Sequence, residues 1–441
     1  MKRLYIQTYG CQMNQYDSDR IVRLMGRAGY EPTEQAEEAD LILLNTCSVR
    51  EKAEQKVYSA LGRWRELKEK KRDLIIGVGG CVAQQEGESL LRRVPYLDLV
   101  FGTQNIHKLG EMVRRAETLG DRPVELAFYR DPSYMEDPEG APRVHGAKAY
   151  VTIMQGCNKV CSFCIVPYVR GRELSRPSDD ILREIRDLAA RGVKEVMLLG
   201  QNVNSYGKTA AGGPSFPELL ARINAVPELD RIRFTTSHPE DLSAELIEAY
   251  ATLEKLCEHL HLPVQSGSDS VLDRMRRGYT REEYMDRIRR LRARCPEVAL
   301  STDIIVGFPG ESEGEFERTL EILEEVEYDD LYAFNYSPRP HTLANKLYPD
   351  DVLEEVKKQR LDKVLKLQAE ISRRRNQERI GKIEEVLVEG GAKLGREQMM
   401  GRTRANRIVN FIGPESLSGK LVQVRIAAAG ANSLRGEIIA A

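Results

Sequence analysis

Short apolar runs and longer amphipathic segments alternate along the first part of the chain. The apolar runs predict four strands, at Leu4–Thr8, Asp40–Leu44, Leu74–Val78 and Leu97–Phe101. Apolar residues at helical spacing predict helices over 14–28 and 50–70, and a further helix after Asn105. Because strands that alternate with helices are typical of a parallel sheet, we predict a parallel α/β sheet domain over residues 1–118.

Residues 119–146 are rich in charge and proline and show little periodicity, which predicts a linker. The alternation then resumes at residue 147. Six further strands are predicted, at Ala149–Gln155, Glu195–Leu199, Arg231–Thr235, His259–Leu262, Leu300–Val306 and Asp330–Tyr336. Helices are predicted between them, and an amphipathic helix over 351–375 is expected to pack along this second domain.

The pattern changes after residue 375. Five short strands are predicted, at Ile383–Val388, Gln398–Arg404, Arg407–Phe411, Leu421–Ile426 and Leu434–Ile439. They suggest a small antiparallel β barrel over 376–441, a scaffold that often binds oligonucleotides. This region carries ten Lys or Arg against seven Asp or Glu. The excess hints at a phosphate-bearing partner, although an ordinary solvated face would look the same.

The composition places the chain among soluble globular proteins, with 41% hydrophobic and 30% charged residues. No apolar run reaches the roughly 20 residues of a membrane span. The N-terminus, MKRLYIQTYG, lacks the apolar stretch of a signal peptide. Eight cysteines in such a chain are expected to be ligands or core residues rather than disulfides, which predicts a cytoplasmic protein.

Three of the cysteines, Cys157, Cys161 and Cys164, lie within the sequence QGCNKVCSFC. Three thiolates at this spacing can hold a 4Fe–4S cluster, which normally takes four cysteines. One iron would then stay open to bind a substrate. A structural zinc site is the alternative, but zinc usually needs four closed ligands and no histidine lies nearby. The spacing therefore favours an iron–sulfur cluster.

Three other cysteines, Cys11, Cys47 and Cys81, each follow one of the first three predicted strands. The carboxyl ends of parallel strands share one edge of a sheet, so these residues are expected to meet there. Taken singly, each is more simply a small buried residue. Their equivalent positions favour a metal site.

The chain resembles known families at each of these places. The C-x3-C-x2-C spacing, with Phe163 before the last cysteine, resembles the radical S-adenosylmethionine (SAM) enzymes. The segments TYGCQMN, LNTCSVREKAE and GGCVAQQ resemble the methylthiotransferases of that superfamily, and the MiaB-type tRNA enzymes in particular. The segment GRTRANRIVNF resembles the TRAM module, an RNA-binding domain.

This resemblance implies a fold and a set of cofactors. It implies a partial (βα)6 radical-SAM barrel over 147–375 and a TRAM barrel after it. It also implies two 4Fe–4S clusters, one on the cysteine loop of the barrel and an auxiliary one on Cys11, Cys47 and Cys81. SAM would bind at the strand ends, where the candidate residues are Gly200, Gln201, Asn202, Ser237, Asp303 and Gly307. For each of these, ordinary loop chemistry is the alternative.

Other polar residues leave two interpretations open. His259 and His261 share one face of a strand, where they would form a two-histidine metal site or, as the pattern favours, simply fill the barrel. Arg402, Arg404 and Arg407 would lie near RNA phosphates or be solvated surface residues.

The activity implied by the resemblance is addition of a methylthio group to carbon 2 of N6-isopentenyladenosine beside the anticodon of tRNA. The expected partners are that tRNA and an electron donor such as flavodoxin or ferredoxin, with the enzyme a monomer. One alternative is the ribosomal-protein aspartate methylthiotransferase of the same architecture. Another is a non-catalytic iron–sulfur or zinc RNA-binding protein.

Overall fold

The computed structural model describes residues 1–48, 51–136, 146–209, 212–392 and 398–440. Its N-terminal part is a six-stranded parallel sheet in the order β2-β1-β3-β4-β5-β6. The strands are β1 Lys2–Thr8, β2 Tyr30–Pro32, β3 Leu41–Thr46, β4 Ile75–Gly80, β5 Leu99–Phe101 and β6 Val124–Glu125. The helices are α1 Gln12–Arg27, α2 Glu51–Lys70, α3 Cys81–Glu86, α4 Glu88–Arg93 and α5 Leu109–Leu119.

Two hydrophobic layers cover this sheet. Along β3, Ile42 and Leu44 face a layer built with α2, whereas Leu41 and Leu43 face a layer built with α1 and α5. Every residue of β3 is buried, as expected for a parallel strand between two layers of helices. The parallel α/β domain is therefore confirmed. The edge strands β2 and β6 were not predicted because they are only three and two residues long, and β6 lies within the predicted linker.

The central part is a partial barrel made of two parallel sheets, β11-β10-β7 and β12-β13-β14. A parallel bridge between Ile232 and Leu256 links the two sheets. Within the described ranges no ladder joins β14 to β7, so the barrel stays open along that side. The strands are β7 Lys148–Thr152, β8 Met154–Gln155, β9 Leu174–Ser175, β10 Glu195–Leu199, β11 Arg231–Phe234, β12 His259–His261, β13 Ala299–Val306 and β14 Asp330–Asn335. The six predicted strands are all present.

Helices pack outside these strands. They are α6 Val166–Arg170, α7 Ser178–Ala190, α8 Phe216–Asn224, α9 Ala244–Thr252, α10 Asp269–Arg274, α11 Arg281–Arg294, α12 Glu313–Val326, α13 Leu343–Leu347 and α14 Glu354–Gln377. Capping boxes fix the starts of α11 and α12, where Thr280 and Ser312 accept from the backbone of Glu283 and Glu315. The last helix packs along the barrel through buried residues such as Val364 and Ile371. Among the described residues, no helix is both long and apolar enough to cross a membrane.

The C-terminal part is a closed barrel in the order β15-β16-β17-β19-β18. Its strands are β15 Ile383–Gly391, β16 Gln398–Thr403, β17 Ile408–Ile412, β18 Leu421–Ala429 and β19 Leu434–Ala440. Four of the five pairings are antiparallel as predicted, and β17 pairs with β19 in parallel. A single core of aliphatic residues and Phe411 fills it.

Buried arginines fasten this small barrel to the central one. Arg231 and Arg233, on β11, are almost fully buried and donate to the backbone carbonyls of residues 402–404. In the other direction Arg404 donates to both carboxylate oxygens of Glu258, at 2.8 and 2.8 Å. Each of these groups is satisfied by a residue distant in sequence, so the two barrels share one polar interface.

This interface corrects the prediction for the arginines of the GRTRANR segment. Arg404 also donates to two backbone carbonyls of the central barrel, and Arg407 pairs with Asp329. Arg402 pairs with Glu389 at 3.1 Å. Free solvation is therefore wrong for Arg404 and Arg407, because their guanidinium groups pair with residues of the central barrel, whereas phosphate contact stays a prediction.

Candidate cluster and cofactor site

The cysteine loop of the central domain follows β8, at the carboxyl end of the first barrel strand. Gly156 begins it in the left-handed region at φ 82°, where a Cβ would strike the Arg172 carbonyl. The Gln201 side chain accepts the backbone N–H of Gly156 at 2.5 Å. The N–H of Cys157 donates to the Gly171 carbonyl at 3.2 Å, which closes the base of the loop.

Within this loop the sulfurs of three cysteines lie close enough to affect one another's charge. Desolvation by burial raises the pKa of Cys157 to about 11 and that of Cys164 to about 12, and the charge of Cys161 adds to both. The buried guanidinium of Arg277 donates to Cys161 Sγ at 3.2 Å. Since a metal ligand must be a thiolate, iron binding at this loop has to displace protons.

The three N-terminal cysteines are brought together at one edge of the sheet, as their strand positions predict. Cys11 caps the N-terminus of α1, Cys47 follows β3, and Cys81 opens α3. A Cβ on Gly10 would lie 2.6 Å from Cys47 Cβ, so only glycine permits this approach. A hydrogen bond from Cys47, followed by the charge of Arg170, lowers the pKa of Cys11 to about 6.

Cys81, like Cys47, is buried. Burial raises its pKa, and the positive charge of Arg170 opposes this effect. Its neighbours in the packing are Ile165 and Val169, which come from the helix directly after the other cysteine loop. The two groups of cysteines are thus joined by one short helix, α6.

Each group of cysteines offers three thiols, one fewer than the four cysteines that usually hold a 4Fe–4S cluster. In a cubane each thiolate binds its own iron, so the three sulfurs need not converge on a point. A buried arginine lies beside each group, Arg170 near Cys11 and Cys81 and Arg277 near Cys161. The residues present are therefore compatible with an iron–sulfur cluster at each site.

The residues predicted to bind SAM fall into two groups. Gly200 packs on Met154, Gln201 holds the cysteine loop, and Asn202 donates to Asp241 at 2.7 Å, so these three lie beside the loop. Gly307 directly follows β13, and a Cβ on it would strike the Lys357 side chain of α14. Asp303, on β13, lies 3.5 Å from His261 Nε2.

Several buried polar atoms around the cysteine loop have no hydrogen-bond partner among the described residues. They are Glu173 Oε1, Asn202 Oδ1, Ser237 Oγ, His238 Nε2 and Gln265 Oε1. Such atoms are costly to bury unpaired, so a cluster of them marks a place for a polar ligand. The ammonium, carboxylate and ribose groups of SAM would satisfy them.

Sequence reasoning missed Glu173, whereas His238 and Gln265 were expected near SAM because they follow the third and fourth barrel strands. Glu173 accepts from Ser205 at 2.7 Å through its other oxygen, and burial raises its pKa. The available signal was its position, nine residues after Cys164 and directly before β9, the strand that returns beside the loop. His259 and His261 both contact Ser301 Oγ, at 3.3 and 3.0 Å, which supports a role in filling the barrel.

Comparison with known proteins agrees with this architecture. The chain matches "Uncharacterized protein family UPF0004" over residues 3–102, the Radical SAM superfamily over 151–323 and the TRAM domain over 377–439. A radical SAM methyltransferase, TsrM, from Kitasatospora setae has the same kind of fold, with a TM-score of 0.59 at 14% identity over 78% of this chain and 77% of that one. The cobalamin-dependent radical SAM enzyme OxsB gives 0.54 at 14% identity, over 82% of this chain and 56% of that one.

Fold and site together define a radical SAM enzyme that carries an N-terminal three-cysteine domain and a C-terminal TRAM barrel. Relatives with similar sequences identify the family within this class. The tRNA-2-methylthio-N(6)-dimethylallyladenosine synthase of Syntrophotalea carbinolica is 52% identical over 99% of this chain and 100% of its own length. The synthase of the same name from Geobacter metallireducens is 54% identical over 99% of this chain and 98% of its own length. The chain belongs to this synthase family.

Proposed function

We propose that this protein adds a methylthio group to carbon 2 of N6-dimethylallyladenosine in tRNA, with the domain boundaries predicted at 118, 146 and 375. The observation that carries the proposal is the pair of three-cysteine sites on either side of α6. Two 4Fe–4S clusters and SAM, when bound, would supply the electron, the hydrogen-abstracting radical, the methyl group and the sulfur. The reaction exchanges the hydrogen on carbon 2 for S–CH3.

The chain's own residues position these groups. Gln201 and Gly156 fix the loop that carries Cys157, whose thiolate would bind one iron of the cluster. Glu173, buried beside that loop with one oxygen unpartnered, is placed to accept the ammonium of SAM. Asn202 and Ser237 offer a carbonyl and a hydroxyl on the neighbouring strand ends. Because these groups are buried, water is kept from the radical.

The partners follow from the same chemistry. The electron would come from a small redox protein such as a flavodoxin or ferredoxin, in a reducing cytoplasm that keeps all eight cysteines free. We assign tRNA contact to the exposed cations of the C-terminal barrel, Lys420 and Arg435, rather than to the arginines of the interface. The target base would have to leave its stack to reach the open side of the barrel.

The test is a reaction under anaerobic conditions with reconstituted enzyme, dithionite, methyl-labelled SAM and prenylated tRNA. We expect labelled 2-methylthio product and 5′-deoxyadenosine. A parallel reaction with ribosomal protein instead of tRNA tests the alternative methylthiotransferase, which would label an aspartate. No SAM cleavage in either reaction would instead indicate a non-catalytic protein. Cys257→Ala, a buried cysteine outside both sites, serves as the control variant.

A further inference from the structure

Arg170 belongs to the central domain by sequence, but its side chain lies in the N-terminal domain. It is the last residue of α6, six positions after Cys164. Its Nη2 pairs with Asp17 Oδ2, on α1, at 2.9 Å, and both side chains are buried. The arginine therefore reaches from one cysteine site into the other.

The backbone at this point is fixed by the N-terminal domain. Thr103 Oγ1 donates to the Val169 carbonyl at 2.7 Å, and Gln104 Nε2 donates to the Arg170 carbonyl at 2.9 Å. Ile165 and Val169 pack against Cys81. The end of α6 is thus held in a defined position over the N-terminal cysteines, and the guanidinium has little freedom.

The other end of the guanidinium lies beside the thiol of Cys81 rather than beside an oxygen acceptor. Arg170 is 3% exposed, and its Nη1 has no hydrogen-bond partner among the described residues. A buried N–H of a charged group without an acceptor is costly, so an acceptor is expected to occupy the space it faces. After Asp17, the groups on which this charge acts are Cys81 and Cys11, two of the three N-terminal cysteines.

We infer that Arg170 donates an N–H···S hydrogen bond to the iron–sulfur cluster held by Cys11, Cys47 and Cys81, and that its charge raises the reduction potential of that cluster. The inference rests on the auxiliary cluster of the proposed function. The other cysteine site carries the same device, since Arg277 is buried and its Nη1 lies 3.2 Å from Cys161 Sγ. Each site thus has one buried arginine directed at sulfur.

The direction of the effect follows from electrostatics. One-electron reduction makes the cluster more negative, and a fixed positive charge or a hydrogen bond to sulfur stabilises the reduced form more than the oxidised form. Removing Arg170 should therefore lower the potential. Removing the negative charge of Asp17, while Arg170 remains, should raise it. A purely structural role of the ion pair predicts the same direction for both changes.

The experiment uses the full chain with Cys157, Cys161 and Cys164 changed to Ala, so that only the N-terminal cluster is measured. Arg170→Met, Arg170→Lys and Asp17→Asn are added singly to this background. The potential of each is obtained by dithionite titration followed by electron paramagnetic resonance. We expect a more negative potential for Arg170→Met, a more positive one for Asp17→Asn, and a value near the background for Arg170→Lys.

Three outcomes would overturn the inference, and each has its own meaning. Equal potentials in Arg170→Met and the background show that the guanidinium does not act on the cluster. Shifts of the same sign in Arg170→Met and Asp17→Asn show that the pair acts only through structure. If Arg170→Met fails to hold iron, Asp17→Asn decides the sign, because an unchanged or more negative potential in that variant overturns the inference. If the Cys157/Cys161/Cys164→Ala protein holds no iron, the auxiliary cluster of the proposed function is contradicted. The inference about Arg170 would then be overturned as well.

Discussion

Asn14 and Asn45 hold each other through both of their side chains. Asn14 Nδ2 donates to Asn45 Oδ1 at 3.0 Å, and Asn45 Nδ2 donates back to the Asn14 carbonyl at 2.8 Å. Asn14 also donates to the Thr46 carbonyl at 2.9 Å. This amide pair ties the start of α1, where Cys11 lies, to the end of β3, just before Cys47.

The Asn45→Ala variant should lose stability and auxiliary iron together. It leaves buried amide groups of Asn14 unpaired, which costs about 1–3 kcal/mol. Urea unfolding measures that cost, and iron per chain in the Cys157/Cys161/Cys164→Ala background measures the cluster. Asn345→Ala, at an exposed site, is the control. Normal iron content in Asn45→Ala would show that the cysteines meet without this clamp.

Alkylation of the iron-free protein should single out Cys11. With a pKa of about 6 and an exposed position, its thiolate forms as pH rises through 6, so labelling by iodoacetamide should speed up and then level off near neutral pH. Cys157 and Cys164 have pKa values of about 11 and 12, so their labelling should be slow. The labelling rate at these two sites should still be increasing with pH at pH 8. Peptide mass spectrometry follows each site. Equal rates at Cys11 and Cys157 at pH 7 would contradict the geometry.

Arg404 and Arg435 should affect tRNA binding in different ways. Arg404→Ala removes the bonds to Glu258 and two carbonyls, and should lower the free energy of unfolding by about 1–3 kcal/mol. Arg435→Ala, at an exposed site, should keep stability but weaken tRNA binding and reduce the slope of log K against log salt by about 1. Filter binding at several salt concentrations gives the slope.

The matched control for the interface is Glu258→Ala. Alone and combined with Arg404→Ala, it forms a double-mutant cycle whose coupling energy reports the pair. An unchanged salt slope in Arg435→Ala would remove this residue from the RNA contact. Deleting the whole C-terminal barrel is a poorer test. It would remove the carbonyl acceptors of Arg231 and Arg233, which are buried in the central barrel.

Loss of each cysteine site should have a distinct effect on the reaction. Reconstituted wild-type protein should hold about eight irons, and either triple Cys→Ala variant about four. The Cys157/Cys161/Cys164→Ala variant should make no 5′-deoxyadenosine. The Cys11/Cys47/Cys81→Ala variant should still make it, but no methylthio product. Product from the second variant would show that the N-terminal site is dispensable.

Glu173→Gln should weaken SAM binding while the radical-SAM cluster stays bound. The change keeps the shape of the side chain but removes the charge that would face the ammonium, a loss of about 1.5–3 kcal/mol or roughly 10- to 100-fold in affinity. Equilibrium dialysis of labelled SAM measures this, with exposed Glu437→Gln as the control. Unchanged affinity would place the SAM ammonium elsewhere.

The sequence by itself determined the order of the elements and the positions of both cysteine sites. Alternating apolar runs predicted four of the six strands of the first sheet and all six strands of the barrel, because burial on both faces leaves a local signature. Cys11, Cys47 and Cys81 could be placed at one edge because parallel strands run in the same direction. These inferences need only neighbours along the chain and a rule of topology.

The direction of each side chain was decided by the tertiary structure. Gly307 packs against the Lys357 side chain, and Arg404 bonds to Glu258 of the central barrel. Arg170 leaves its own domain to meet Asp17, 153 residues earlier in the chain. Such partners come from segments that meet only after folding, and the free energy of pairing a buried charge depends on which groups are there. No periodicity or spacing along the chain encodes that choice.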